Sequence, residues 1–390
     1  MRRLSLVVVA LVSFASAASA QASFTRSGLS DRIDEILDAS AFHGAVWGVF
    51  VQDLDSDRVL YERNAFLPMM PASNMKLVTT AAALDALGPN FRYETTLYLD
   101  GPLEYGTLTG SLVVRGAGDP SFIGRARDLD GVFRQWADSL YDAGVRNVLG
   151  TIVVADDVMD DPSTQFVRVL RDAIRDRGIG LHVDGIDRYP PGLSPPYDRM
   201  RPVATHRSPP LATFIGRTNT ESDNAYAERI LRTVASFVFP SPGPVRPGLR
   251  ARAADRMLEH FGIDPRAVVV ADGSGLSRDN RLTAEVIVSL LQGMHRHPDA
   301  TTRDVFVRSL PLGGYTGTLG RRYRTGDARG NVRAKTGYIS GVRTLSGYIT
   351  NARGHTLAFS ILCNGYSTAT RHVSSAQDDV VELLADYAGL

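Results

Sequence analysis

Ser73 and Lys76 stand three residues apart in Pro71-Ala-Ser-Asn-Met-Lys76, just ahead of the apolar run Leu77 to Leu87. The run reads as a buried helix, and residues three apart on a helix share a face, so the amine can reach the hydroxyl. A helix start also offers unpaired N–H groups and a positive dipole end to a developing negative charge. The chemistry this suggests is nucleophilic: a serine activated by a lysine that a dry pocket keeps able to accept a proton. Composition strengthens the reading. Of 43 basic residues only two are lysines, Lys76 and Lys335; the other 41 are arginines. Arginine cannot serve as a proton acceptor, so a chain that otherwise uses arginine has kept lysine where an ammonium, or its neutral form, is needed.

Lys335 opens Lys335-Thr336-Gly337-Tyr338, in a β-rich stretch that reads as a strand paired with Val342 to Ile349. Lys335 and Thr336 can offer a positive charge and a hydroxyl to a carboxylate, and Gly337 leaves room for a ligand backbone to approach. Between the two lysines lies Ser222-Asp223-Asn224, at the start of the helical run Ala225 to Arg232. Taken alone, that triplet is an ordinary helix cap. The order Ser-x-x-Lys, Ser-Asp-Asn, Lys-Thr-Gly, using both lysines of the chain, is the three-part signature of serine penicillin-interactive enzymes.

Longer stretches narrow the resemblance. Pro71–Arg92, Arg115–Phe122, Asp272–Leu282 and Arg333–Tyr348 are similar to the D-alanyl-D-alanine carboxypeptidase/endopeptidase family of class C low-molecular-mass penicillin-binding proteins, in the serine β-lactamase/transpeptidase superfamily. The resemblance runs with gaps from about Gly44 to the C-terminus. It implies an α/β transpeptidase-like domain, an antiparallel sheet flanked by helices, with a smaller β-rich region inserted. By resemblance, Ser73 attacks the carbonyl between two D-alanines of a peptidoglycan stem peptide, Lys76 is its base, and Ser222 passes a proton to the leaving amine. Asn224 orients Lys76 and binds the substrate amide, while Lys335, Thr336 and Gly337 hold the substrate carboxylate end. The oxyanion hole is formed by the N–H groups of Ser73 and Tyr338. β-Lactams are the expected inhibitors, and neither metal nor cofactor is implied. One departure stands out: 145 residues separate Lys76 from Ser222, fewer than fuller members have.

The elements that must position these residues follow in chain order. Met1-Arg-Arg, the apolar Leu4–Phe14 and Ala18-Ser-Ala20 read as a cleavable export signal, residues 1–20, with no lipid-acceptor cysteine after it. An amphipathic helix is expected over Ser27–Ala39, a hairpin from Ala45–Gln52 to Arg58–Glu62, and the Ser73 helix ending at Gly88-Pro89. Strands Tyr93–Leu99, Gly110–Arg115 and Leu149–Val154, with helices 129–143 and Gln165–Arg177, make 91–200 the inserted region. Residues 21–90 and 201–390 are then the catalytic domain. Phe239–Pro247 reads as a loop, and Ser375–Tyr387 as an acidic closing helix, a poor anchor for anionic lipid.

Composition excludes other classes. A net charge of +1 with no basic cluster speaks against nucleic-acid binding, and no later run reaches membrane-span length. Cys363 has no partner for an internal disulfide, and the histidines lack metal-ligand spacing. A β-lactamase shares the acylation step, but none of Glu228, Glu259 and Glu285 has the Glu-x-x-Leu-Asn setting of a class A deacylating base. A penicillin-binding scaffold with a dead site conflicts with intact motifs, and a Ser-His-Asp hydrolase lacks its Gly-x-Ser-x-Gly elbow.

Overall fold

The structure is a computed structural model that describes residues 26–389 apart from 117, 124–128, 155–163, 184, 190–194 and 241–246. The expected export signal and most of the Phe239–Pro247 loop lie outside the described residues.

Three strand segments, Val46–Asp53, Val342–Thr350 and Thr356–Asn364, are buried along nearly their whole length. Such continuous apolar runs belong to strands covered on both faces. They form the centre of a five-stranded antiparallel sheet in the order 333–339, 342–350, 356–364, 46–53, 59–63. One face packs on helices Arg26–Leu37 and Thr370–Asp386 through Ile33, Trp47, Phe359 and Val380. The other face meets the helical half of the molecule, in whose core Met75–Leu87 is buried over ten of its residues. This is the antiparallel sheet flanked by helices that the sequence leads one to expect.

Two consequences matter for the site. The strand carrying Lys335 (Arg333–Ile339) is the edge strand of the sheet, its outer side bridged at its start by Leu312 opposite Arg333. It lies against the 3₁₀ turn Ala72–Asn74 that carries Ser73. The regular helix therefore begins at Met75, two residues beyond Ser73, because Ala72 takes a left-handed φ of 45°.

A second five-stranded sheet has the order 186–188, 152–154, 111–115, 94–100, 201–207 and its own core with helices Asp130–Asp142 and Thr164–Asp176. The sequence reading ends the inserted region at 200, yet Arg201–Arg207 hydrogen-bonds along Glu94–Asp100 and extends this sheet to 207. Its polar, half-exposed pattern gave little apolar signal to find it by. The chain enters and leaves at one point. Tyr93 N donates to Ser208 Oγ at 3.0 Å, Ser208 N to Tyr93 O at 3.0 Å, and Arg92 Nη1 to Ser208 O at 2.7 Å. The short turn Pro120–Ile123 rests on helix Asn224–Val238, which also packs on Met75–Leu87.

Candidate active site

Lys76 projects from the first turn of its helix into a fully enclosed position, with no exposed surface. Its Nζ donates to Ser73 Oγ at 3.0 Å, Asn224 Oδ1 at 2.7 Å and the Ser274 carbonyl at 2.6 Å. All three of its N–H groups are thus directed, one at the hydroxyl. Burial lowers its pKa from the ordinary 10.5 to about 8, against the opposing pull of Asp272, Glu228 and Asp223. Desolvation dominates, so the amine becomes half neutral at about pH 8 instead of above 10.

Asn224 begins the helix Asn224–Val238. Asp223 caps it, accepting from Tyr226 N at 3.1 Å, and lies 3.3 Å from the Arg217 guanidinium. Ser222 precedes the cap at a φ of 61°, a left-handed conformation that a serine adopts only when its surroundings impose it. That turn sends Ser222 Oγ to Lys335 Nζ, 2.9 Å away. Lys335 also donates to the Thr336 carbonyl at 2.8 Å and is fully buried, so burial pushes its pKa well below the usual lysine value, with Lys76 and Arg343 adding like-charge repulsion. Thr336 Oγ1 donates to Thr318 Oγ1 at 2.8 Å.

These residues border one cleft of about 470 Å³, lined by Ser73, Ser222, Asn224, Leu276, Thr318, Thr336, Tyr338 and Arg343. Both lysines stand behind its wall. The three sequence motifs are therefore brought together, with Ser73 at the junction of the 3₁₀ turn and the edge strand. Gly337 has a different setting from the one its sequence suggests. A Cβ there would lie 2.1 Å from Thr344 Oγ1 and 3.0 Å from both Pro71 O and Ser73 N. On that side the space beside Gly337 is taken by the Thr344 side chain and the turn that carries Ser73.

Several parts of the site gave weaker signals. Glu228 lies one helical turn beyond Asn224 and accepts from Gly273 N at 3.0 Å and Ser274 N at 2.9 Å. Asp272 closes the same loop through Gly275 N at 2.7 Å and Asn280 Nδ2 at 2.8 Å. Together they aim the Ser274 carbonyl at Lys76. The i,i+4 spacing of Asn224 and Glu228 could have indicated a shared face, but a carbonyl acceptor leaves no trace in sequence. Ser274 itself serves through its backbone and is 1% exposed. Thr318 lies outside every stretch that carries the resemblance, while Leu276 and Arg343 lie inside two of them without being singled out.

The D-Ala-D-Ala carboxypeptidase 3 (S13) family matches residues 29–173 and 158–387, nearly the whole chain. The chain belongs to this family. A D-alanyl-D-alanine carboxypeptidase of Actinomadura sp. is 28% identical, across 96% of this chain and 88% of that one. Carboxypeptidase DacB of Mycolicibacterium smegmatis is 29% identical, across 87% and 80%. Among solved structures, penicillin binding protein 4 from Haemophilus influenzae, complexed with a β-lactam, superposes with a TM-score of 0.79 at 22% identity, covering 91% of this chain and 100% of that one. A predatory peptidoglycan endopeptidase from Bdellovibrio bacteriovorus gives 0.60 at 17%, over 87% and 92%. This S13 chain thus has the penicillin-binding fold and is a serine-type D-Ala-D-Ala carboxypeptidase by family. The alignment with the Actinomadura enzyme runs over 487 positions against 390 residues here, so that relative carries residues this chain lacks.

Proposed function

We propose that this S13 enzyme cleaves the D-Ala-D-Ala terminus of peptidoglycan stem peptides, in the periplasm or another extracytoplasmic space reached through the signal at residues 1–20. The observation that carries the reading is the buried Lys76 Nζ, 3.0 Å from Ser73 Oγ and with a pKa lowered to about 8. Ser73 Oγ attacks the carbonyl of the penultimate D-alanine as its proton passes to neutral Lys76. The Ser73 and Tyr338 N–H groups receive the oxyanion, a reading supported by the close approach of Gly337 to Ser73 N. Removing one such donor typically costs about 2.7–4 kcal/mol of barrier. Ser222, held by Lys335, delivers a proton to the departing amine, and water then cleaves the acyl-enzyme through the same groups. Asn224 fixes Lys76 and faces the substrate amide, and Thr336 meets the carboxylate end.

Glu228 is engaged by two loop amides, and its other oxygen lies 3.5 Å from Arg250. It is therefore a loop anchor, not a deacylating base, which favours a peptidase with a long-lived penicillin adduct. We assign the second sheet to an insertion that shapes access to the cleft, and place the loss of length relative to fuller members near 158–173, where the two family matches overlap.

The test is intact-mass analysis of wild type and Ser73→Ala after incubation with benzylpenicillin, followed by peptide mapping. A single stable adduct on Ser73, absent from the variant, is expected. Rapid drug hydrolysis without an adduct would make the chain a β-lactamase, and intact drug without an adduct would mean a dead site. Muropeptide digestion then separates terminal D-alanine release from cross-link cleavage.

A further inference from the structure

Arg343 is the one charged residue among those lining the cleft. It stands opposite Tyr338 across the strand pair, and directly opposed residues point to the same face of a sheet. Thr336, two residues along from Tyr338, shares that face and is a diagonal neighbour of Arg343, within reach of a long side chain. Among the described residues the guanidinium makes one hydrogen bond, from Nε to Ser374 Oγ at 3.0 Å, and no carboxylate lies within ion-pair distance. The nearby acid is taken: Asp378 Oδ1 accepts from Arg322 Nη2 at 2.6 Å and Nε at 2.9 Å. Burial and the Arg322 charge pull Arg343 below the ordinary arginine value even against the opposing pull of Tyr366, Asp378 and Tyr338, a cost that an arriving anion relieves.

Lys335, the cation that the motif offers for this task, is committed elsewhere. It is enclosed, turned to Ser222 Oγ and the Thr336 carbonyl, and absent from the cleft lining. We propose that Arg343, together with Thr336, binds the free carboxylate of the residue after the scissile bond and is the charge that makes the enzyme select acid-terminated peptides. The two unpaired Nη groups present the planar fork that accepts a carboxylate in bidentate fashion. Lys335 is left to the proton path through Ser222. This inference rests on the peptidase reading above.

The experiment compares kcat/KM for a peptide ending in D-Ala-D-Ala with a free carboxylate and for the same peptide as its C-terminal amide. Wild type, Arg343→Gln and Arg343→Lys are measured with both. Arg343→Gln should lower the acid-to-amide ratio about 100-fold, as loss of a charged partner to a desolvated carboxylate does, and Arg343→Lys should restore part of it. Equal losses on both peptides, or an unchanged ratio, would overturn the inference, since a structural role affects both alike. Far-UV circular dichroism and thermal melting establish that each variant is folded. A wild type that forms no adduct and releases no D-alanine would overturn the peptidase reading itself, an outcome distinct from an unchanged ratio in an active enzyme.

Discussion

With Lys76 as the proposed base, the burial of a single amine would tie catalysis to pH. With its pKa near 8, the neutral base becomes the majority form above that value. Acylation of Ser73, followed as the second-order rate with benzylpenicillin, should therefore climb about tenfold per pH unit on the acid side of 8 and then level off. Lys76→Arg keeps the charge but cannot shed the proton, and the acylation rate should fall by about a thousandfold or more. An active arginine variant would remove Lys76 from the base role. Cys363 behaves in the opposite sense: it is wholly buried in the sheet, and desolvation raises its thiol to about 12. A thiol-reactive dye should leave the native protein untouched and take up one equivalent on denaturation; labelling of the folded form would mean that the sheet opens.

At the scale of elements, the site depends on two backbones approaching more closely than side chains allow. Gly337 is where the edge strand meets the Ser73 turn, and Gly275, with a φ of 84°, is where the Asp272 loop meets it from the other side, a Cβ there lying 1.8 Å from Ala72 O. Gly337→Ala must push the strand away from Ser73 N. It should lower the melting temperature and cut acylation by about 100-fold, because the proposed oxyanion donors, the Ser73 and Tyr338 N–H groups, would separate. Gly216→Ala is the control. It lies in helix Leu211–Thr220 with open space around it and should be neutral or stabilising by up to about 1 kcal/mol. That the two lysines, the serines and the cap converge on one place was legible because side-chain type and spacing mark them. The strands of the main sheet were legible because burial on both faces writes an apolar run. Arg201–Arg207 was not, since a half-exposed strand with Pro202 and two arginines looks like a loop until its partner is known. Nor was Arg343, which differs from the chain's other arginines only in what surrounds it.

For the whole molecule, the separate cores of the two sheets and the hydrogen-bonded junction at Tyr93 and Ser208 indicate that the second sheet can be lifted out. Replacing residues 94–207 by a short Gly-Ser link should leave a folded enzyme that still acylates Ser73 within about tenfold of the wild-type rate, with altered preference among muropeptides. The packing of Pro120–Ile123 on helix Asn224–Val238 is the contact most at risk, and a complete loss of acylation would make that contact part of the catalytic apparatus. Sequence patterns made the presence of this region clear. The point at which it closes was set by a long-range strand pairing that no local pattern records.

The enclosure of both lysines has a consequence for the surface. Neither Lys76 nor Lys335 exposes any area, and the chain has no third lysine, so the folded protein displays dozens of guanidinium groups and not one side-chain amine. Acylating dyes, aldehyde cross-linkers and amine-coupled sensor chips all act on amines. On native protein their chemistry should be confined to the α-amino group, and unfolding should add two sites, countable by mass. Immobilised through that single terminus, every molecule on a surface would hang in one orientation with its cleft chemically untouched.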